Sequence, residues 1–181
     1  MRRLAALVLA ALMIFGFGGC SSDAGGGGAT QAPPADAPVG SLQNPHPLGA
    51  EITDDHFTLV VNSVNLDATD EILEFSGLND PPEEGMVYIL VNVTMTYVGD
   101  DPGGERPSAD IRYIDVDGNQ HRAYYPILFI PDEFDPDMKE LKPGESTTGN
   151  FHMQAPADSA DQGVLNIRLD YSDGRTHVAV K

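Results

Sequence analysis

The stretch Met86–Val98, MVYILVNVTMTYV, constrains this chain more than any other. From Val87 onward every second residue is apolar: Val87, Ile89, Val91, Val93, Met95 and Tyr97. The residues between them turn polar as the run proceeds, through Asn92, Thr94 and Thr96. A period of two, carried by β-branched and aromatic residues, predicts a strand with one face buried. A helix would need apolar spacing of three to four, and the Val/Ile/Thr density opposes it. Burying each inward side chain is worth roughly 1.5–3 kcal/mol, so six of them make this the expected central strand of a β domain.

The charge balance narrows the partners. The chain has 181 residues, 28 acidic against 10 basic, for a net charge of −18. Such an acidic chain repels phosphate backbones, which argues against a nucleic-acid partner. No run of basic residues exists to attract anionic lipid. Cys20 is the single cysteine and tryptophan is absent, so no disulfide closes within the chain and packing alone must hold the core.

Residues 1–19 read as a leader. Arg2 and Arg3 form a short positive start, and Leu4–Phe17 is an apolar run of 14 residues. As a helix it would be about 21 Å long, short of a bilayer core of about 30 Å. Phe17-Gly18-Gly19-Cys20 resembles the lipobox of bacterial lipoproteins, in which the cysteine is lipidated and becomes the mature N-terminus. Cys20 is therefore the expected lipidation site, and its two acyl chains the expected membrane partner, at the extracytoplasmic face of a bacterial cell membrane. Residues 20–45, rich in Gly, Ala and Pro, lack the apolar groups for a core and read as a disordered tether.

Residues 46–181 read as one domain. His56–Leu66 is a strand candidate and Asp70–Phe75 a weaker one. Ile111–Val116 and Gln120–Tyr125 flank Asp117-Gly118, a hairpin signal expected to place both central residues at positive φ. Lys142-Pro143-Gly144-Glu145 fits a type II turn. Gly149–Gln154, Val164–Tyr171 and Thr176–Val180 complete the strands, with Phe151, Met153, Leu165, Ile167, Leu169 and Tyr171 inward. No convincing helical period follows residue 20. About seven short strands separated by turns predict an all-β, immunoglobulin-like β-sandwich, with an up-and-down barrel as the alternative.

Phe57–Val64 (FTLVVNSV), Tyr88–Thr94 (YILVNVT), Ile114–Gly118 (IDVDG), Leu141–Ser146 (LKPGES) and Phe151–Pro156 (FHMQAP) resemble the telokin-like, immunoglobulin-fold domain of bacterial secreted lipoproteins, related to the immunoprotective extracellular proteins. This chain differs in a longer acidic insertion around Ile130–Glu140. The resemblance implies a fold and a cellular address, and brings no catalytic residues.

Candidate sites are few. Asp132, Glu133, Asp135 and Asp137 are the densest carboxylates, and with backbone carbonyls they could hold calcium, the basis of an alternative metal-dependent binding module. A solvated loop is the preferred reading. Asp115–Asn119 superficially resembles a calcium loop, but its twelfth position is Pro126, so the hairpin reading stands. His152 and Met153 are copper-type ligands that strand alternation sends to opposite faces. Asn92-Val93-Thr94 is an acceptor sequon inside the central strand, best read as chance. Ile127, Phe129 and Phe134, beside the acidic loop, form a candidate partner surface for an envelope or extracellular protein. No nucleophile elbow, zincin helix or phosphate loop is present, so neither an enzyme nor a cofactor is expected.

Overall fold

A computed structural model describes residues 37–135, 140–170 and 172–181. These belong to the compact unit Pro33–Lys181; the other unit, Met1–Ala32, lies outside them, and with it Cys20 and the leader. Asp137 and Tyr171 also lie outside the described residues.

Eight strands and one helix are present among the described residues, in the order β1 (Glu51–Thr53), β2 (Phe57–Asn65), α1 (Thr69–Phe75), β3 (Met86–Tyr97), β4 (Ala109–Ile114), β5 (Gln120–Arg122), β6 (Ser146–Pro156), β7 (Val164–Leu169) and β8 (Thr176–Ala179). They form two four-stranded sheets, β1-β2-β3-β6 and β5-β4-β7-β8, with every strand pair antiparallel. The sheets pack face to face, giving the expected β-sandwich and not a closed barrel.

The long central strand is β3, paired along its length with β6 and with β2 on its other side. Its inward set is the one the alternation predicts: Ile89, Val91, Val93, Met95 and Tyr97 are buried against Ile111, Leu165 and Ile167 of the second sheet. A bulge at Asn62 shifts the β2 register between Val61 and Ser63, so that Val61 and Val64 both join this core.

Four expectations are corrected. Asp70–Phe75 belongs to α1, not to a strand: Ala68 and Ile72 are one helical turn apart and face the same way. The short edge strand β1 was not anticipated. Residues 37–45, placed in the tether, hold to β8: Gly40 O accepts from His177 N at 2.8 Å, and His46 bridges Val178. In the Asp117-Gly118 hairpin only Gly118 has positive φ (84°), and Gly118 N bonds Asp115 O at 3.1 Å. That is a three-residue loop, a turn closed by one left-handed glycine, in place of a two-residue mirror-image turn.

Asp115 organises this loop and is no free ligand. It is buried, and Oδ1 accepts from Asp117 N (3.0 Å) and Asn119 N (2.8 Å). Oδ2 meets Asn119 Nδ2 and His121 Nε2, each at 3.0 Å. Burial opposes its ionisation, but these donors outweigh it and hold the carboxyl pKa down to about 2.

Candidate interaction surface

The outer face of β3 is divided in two. Toward Tyr97, Asn92, Thr94 and Thr96 build a polar ladder across neighbouring strands. Asn62 Nδ2 donates to Asn92 Oδ1 (2.8 Å) and Thr94 Oγ1 (2.9 Å), Thr94 meets Thr148 at 2.8 Å, and Thr96 meets Ser146 at 2.8 Å. Toward Met86 the outward residues are Tyr88 and Leu90. Leaving both in water would expose a large apolar face. They are buried instead under α1 and the segment 124–134, in a second small core with Ala68, Ile72, Leu128 and Ile130.

Both covering pieces are fixed by hydrogen bonds. Ala68 N bonds Tyr88 O (2.7 Å) and Thr69 Oγ1 accepts from Tyr88 N (3.1 Å), which lays α1 across β3. Asp70 and Glu71 in the first turn suit the positive end of a helix. The amide of Asn79 joins the two pieces: Nδ2 donates to Ile72 O (2.7 Å) and Phe129 O (2.8 Å), and Oδ1 accepts from Phe129 N (2.8 Å). One side chain thereby satisfies three backbone groups at the helix end and in the loop.

The segment 124–134 begins at a residue of positive φ, Tyr124 (59°), has a second near its end, Asp132 (47°), and contains a cis Tyr125-Pro126 bond. A left-handed non-glycine residue costs on the order of 1 kcal/mol, which bonds to β6 offset here. Tyr124 N donates to His152 O (3.0 Å), Tyr124 OH to Phe134 O (2.6 Å), and Asn150 N to Asp132 O (2.8 Å). His152 Nε2 donates to Pro126 O at 2.7 Å, leaving Nδ1 buried without a partner. Burial pushes the imidazole pKa below its ordinary value, although the Pro126 carbonyl and the Glu133 carboxylate act the other way, so the ring is neutral. His152 and Met153 do take opposite faces, Met153 entering the main core.

Alternation within this segment sorts the predicted surface residues. Leu128 and Ile130 point inward, while Ile127 (92% exposed) and Phe129 (54%) point to solvent. Phe134 is corrected: it is buried, stacked on Phe151 with ring centroids 4.8 Å apart. Gly149 admits it, because a Cβ there would lie 2.7 Å from Phe134 Cα. Sequence reasoning missed three other members of the surface. Phe75 (55% exposed), Leu78 (79%) and Tyr125 (69%) join Ile127 and Phe129 on the two pieces that Asn79 ties together. A groove of about 490 Å³ adjoins Tyr125, lined also by Glu83, Met86 and Arg122. The same segments and the loop that follows α1 also carry exposed carboxylates: Asp70, Glu71, Glu74, Asp80, Glu83, Asp132 and Glu133.

Two of the metal candidates are among these carboxylates. Asp132, Glu133 and Asp135 are exposed, and among the described residues no group of three or more His, Cys, Asp or Glu is placed to hold a metal ion.

No protein-family model matches the chain, and no curated protein matches it. Two solved structures are similar to it. One is a conserved hypothetical protein from Bacillus anthracis, 18% identical, with 73% of this chain and 94% of that one covered at a TM-score of 0.45. The other is an uncharacterized β-sandwich protein from Clostridium difficile 630, 13% identical, with 75% and 94% covered at 0.44.

Proposed function

We propose that this is a lipid-anchored, extracytoplasmic β-sandwich of the telokin-like, immunoglobulin-fold kind, which acts by binding a partner protein and not by catalysis. The observation that carries the binding reading is the cap on β3. Two segments are bolted together over a dedicated small core, and they present Phe75, Leu78, Tyr125, Ile127 and Phe129 to solvent. Several large apolar side chains exposed on two joined segments, interspersed with carboxylates, favour a protein-binding surface. The carboxylates favour a partner whose contact surface is apolar with basic groups. The leader, the Gly-Gly-Cys20 motif and the resemblance of the five strand and turn stretches support the address. Among the described residues no helix is long and apolar enough to cross a membrane.

The test is affinity capture from envelope extract with the wild-type chain and with Leu78→Ser/Ile127→Ser, both exposed positions whose change should leave the melting temperature intact. A protein captured by the wild type and lost with the variant supports the reading. Identical captures would contradict it. Cys20→Ala tests the anchor separately: the protein should leave the membrane fraction or remain uncleaved, and correct cleavage with full retention would contradict lipidation.

A further inference from the structure

A β-sheet ends in strands whose outer N–H and C=O groups have no neighbouring strand, and folded proteins usually cover them. The edge of β8 is covered by Gly40 and His46, which bond to His177 and Ala179. The middle of β6 is covered too: Asn150 bonds Asp132 and Phe134, and His152 O accepts from Tyr124 N at 3.0 Å. Beyond that last bond the cover stops. Gln120, His121 and Arg122 of β5 and Gln154 of β6 line the groove of about 490 Å³ beside Tyr125. Register shows which way their backbones point. Ala123 N bonds Ile111 O and Asp115 N bonds Asn119 O, so odd-numbered residues of β5 bond toward β4. Gln120 and Arg122 therefore turn their N–H and C=O groups to the open edge. Likewise Tyr97 N bonds Glu145 O and Ala157 N bonds Gly85 O, so odd-numbered residues of β6 bond β3 and Gln154 faces outward. None of these outward backbone groups has a hydrogen-bond partner among the described residues. The Gln154 side chain is 6% exposed, and its Oε1 accepts from Glu83 N at 2.8 Å. Its Nε2 has no partner among the described residues and is not enclosed, so it opens on the groove.

We propose that this corner of the sandwich takes an extended peptide segment of a partner protein, laid along β5 as an added strand. The occupant follows from the groups left open. Gln120 and Arg122 each present a backbone donor and acceptor, spaced about 7 Å apart, which is the repeat of another strand's backbone. Gln154 offers the segment's other edge a backbone donor, a backbone acceptor and a side-chain amide. Alternate side chains of the segment fall toward Met86 and Tyr125, so apolar residues are expected at every second position. Glu83 and Arg122 put one charge of each sign at the groove, so main-chain bonds and not net charge carry the binding. The corner between β1 and β8 does not compete, because residues 40–46 already occupy the β8 edge. The inference rests on the reading of this chain as a binding module and adds a contact of stated kind beside the cap.

The experiment selects a displayed library of random peptides, about nine residues long, on the full chain and resynthesises the enriched sequences. An enriched peptide should slow hydrogen exchange about tenfold or more at the N–H groups of Gln120, Arg122 and Gln154, with Glu51 and Thr53 of β1 unchanged. N-methylating alternate residues of the peptide in one register should weaken binding about tenfold or more, and in the other register should not. That probe leaves the protein unaltered. Arg122→Pro should weaken binding as much without lowering the melting temperature, because the N–H it removes is unbonded in the free protein. No enrichment, protection confined to other strands, or equal binding of both N-methylated forms would overturn the proposal. Leu78→Ser/Ile127→Ser separates this contact from the cap. A peptide that those changes release, with no protection in β5, would support the cap and overturn the added strand. Protection in β5 that survives them would uphold the added strand even where the cap binds nothing.

Discussion

One strand, β3, meets two different surroundings on its outer side. Beyond Asn92 its outward residues end in hydroxyls and amides, which bond across to β2 and β6 in solvent. Before Asn92 the outward residues are Tyr88 and Leu90, and the chain supplies a helix and a folded segment to cover them. The inner face is apolar throughout. An outward apolar pair on an otherwise alternating strand therefore marks where something else must pack. Here the covering pieces carry apolar groups on their own outer side as well. That second, uncovered layer is the proposed binding surface.

The largest predicted effect contrasts the two faces of β3. Val91→Asp buries an unpaired carboxylate in the main core and should cost several kcal/mol, about 4 or more, in chemical denaturation. Thr94→Asp, on the wet ladder, should cost about 1 kcal/mol or less. Similar losses would break the division into dry and wet faces.

Next come the ties that hold the cap. Ile72→Ala should cost about 2–4 kcal/mol through the cavity it leaves in the small core. Asn79→Ala, which removes three hydrogen bonds, should cost about 2 kcal/mol. Hydrogen exchange would then show faster exchange in residues 69–79 and 124–130, with the ladder end of β3 unchanged. Uniform acceleration across both ends would mean that the cap is not a separate unit.

How much of this was legible follows from what each residue needs to know about its surroundings. The inward set of β3 was readable because alternation is local and six residues agree. The helix was not, since only Ile72 of its seven residues is buried, with Ala68 at the cap one turn before it, too short a run to display a period. The acidic neighbours of Phe134 point it to the surface; its burial depends on the missing Cβ of Gly149, in a different strand. Ile127 and Phe129 were legible as a candidate surface. Phe75, Leu78 and Tyr125 were not, because only the Asn79 bonds bring their segments together.

Two smaller effects are pH-dependent. Native Asp115 binds its proton less readily than in the unfolded chain, so its contribution is complete above about pH 4 and is lost as pH falls toward about 2. Asp115→Asn should cost about 2 kcal/mol at neutral pH and flatten acid unfolding in that window. Native His152 also resists protonation, so the unfolded chain takes up the proton first and stability should decline as pH falls below about 6.5. Protection of residues 125–130, taken relative to the intrinsic exchange rate at each pH, should fall over that range in the wild type, and His152→Gln should remove that fall. An unchanged pH profile would separate His152 from the hold on the cap.

The most direct measurement places a photo-crosslinking residue at Ile127 or at Thr94 in the full chain expressed in cells. The two positions lie on the same side of the same sheet, one over the cap and one on the polar ladder. The account predicts a discrete crosslinked product from position 127 and none from position 94. A product from position 94 with none from 127, or equal products from both, would contradict the claim that the cap on β3 is the binding surface.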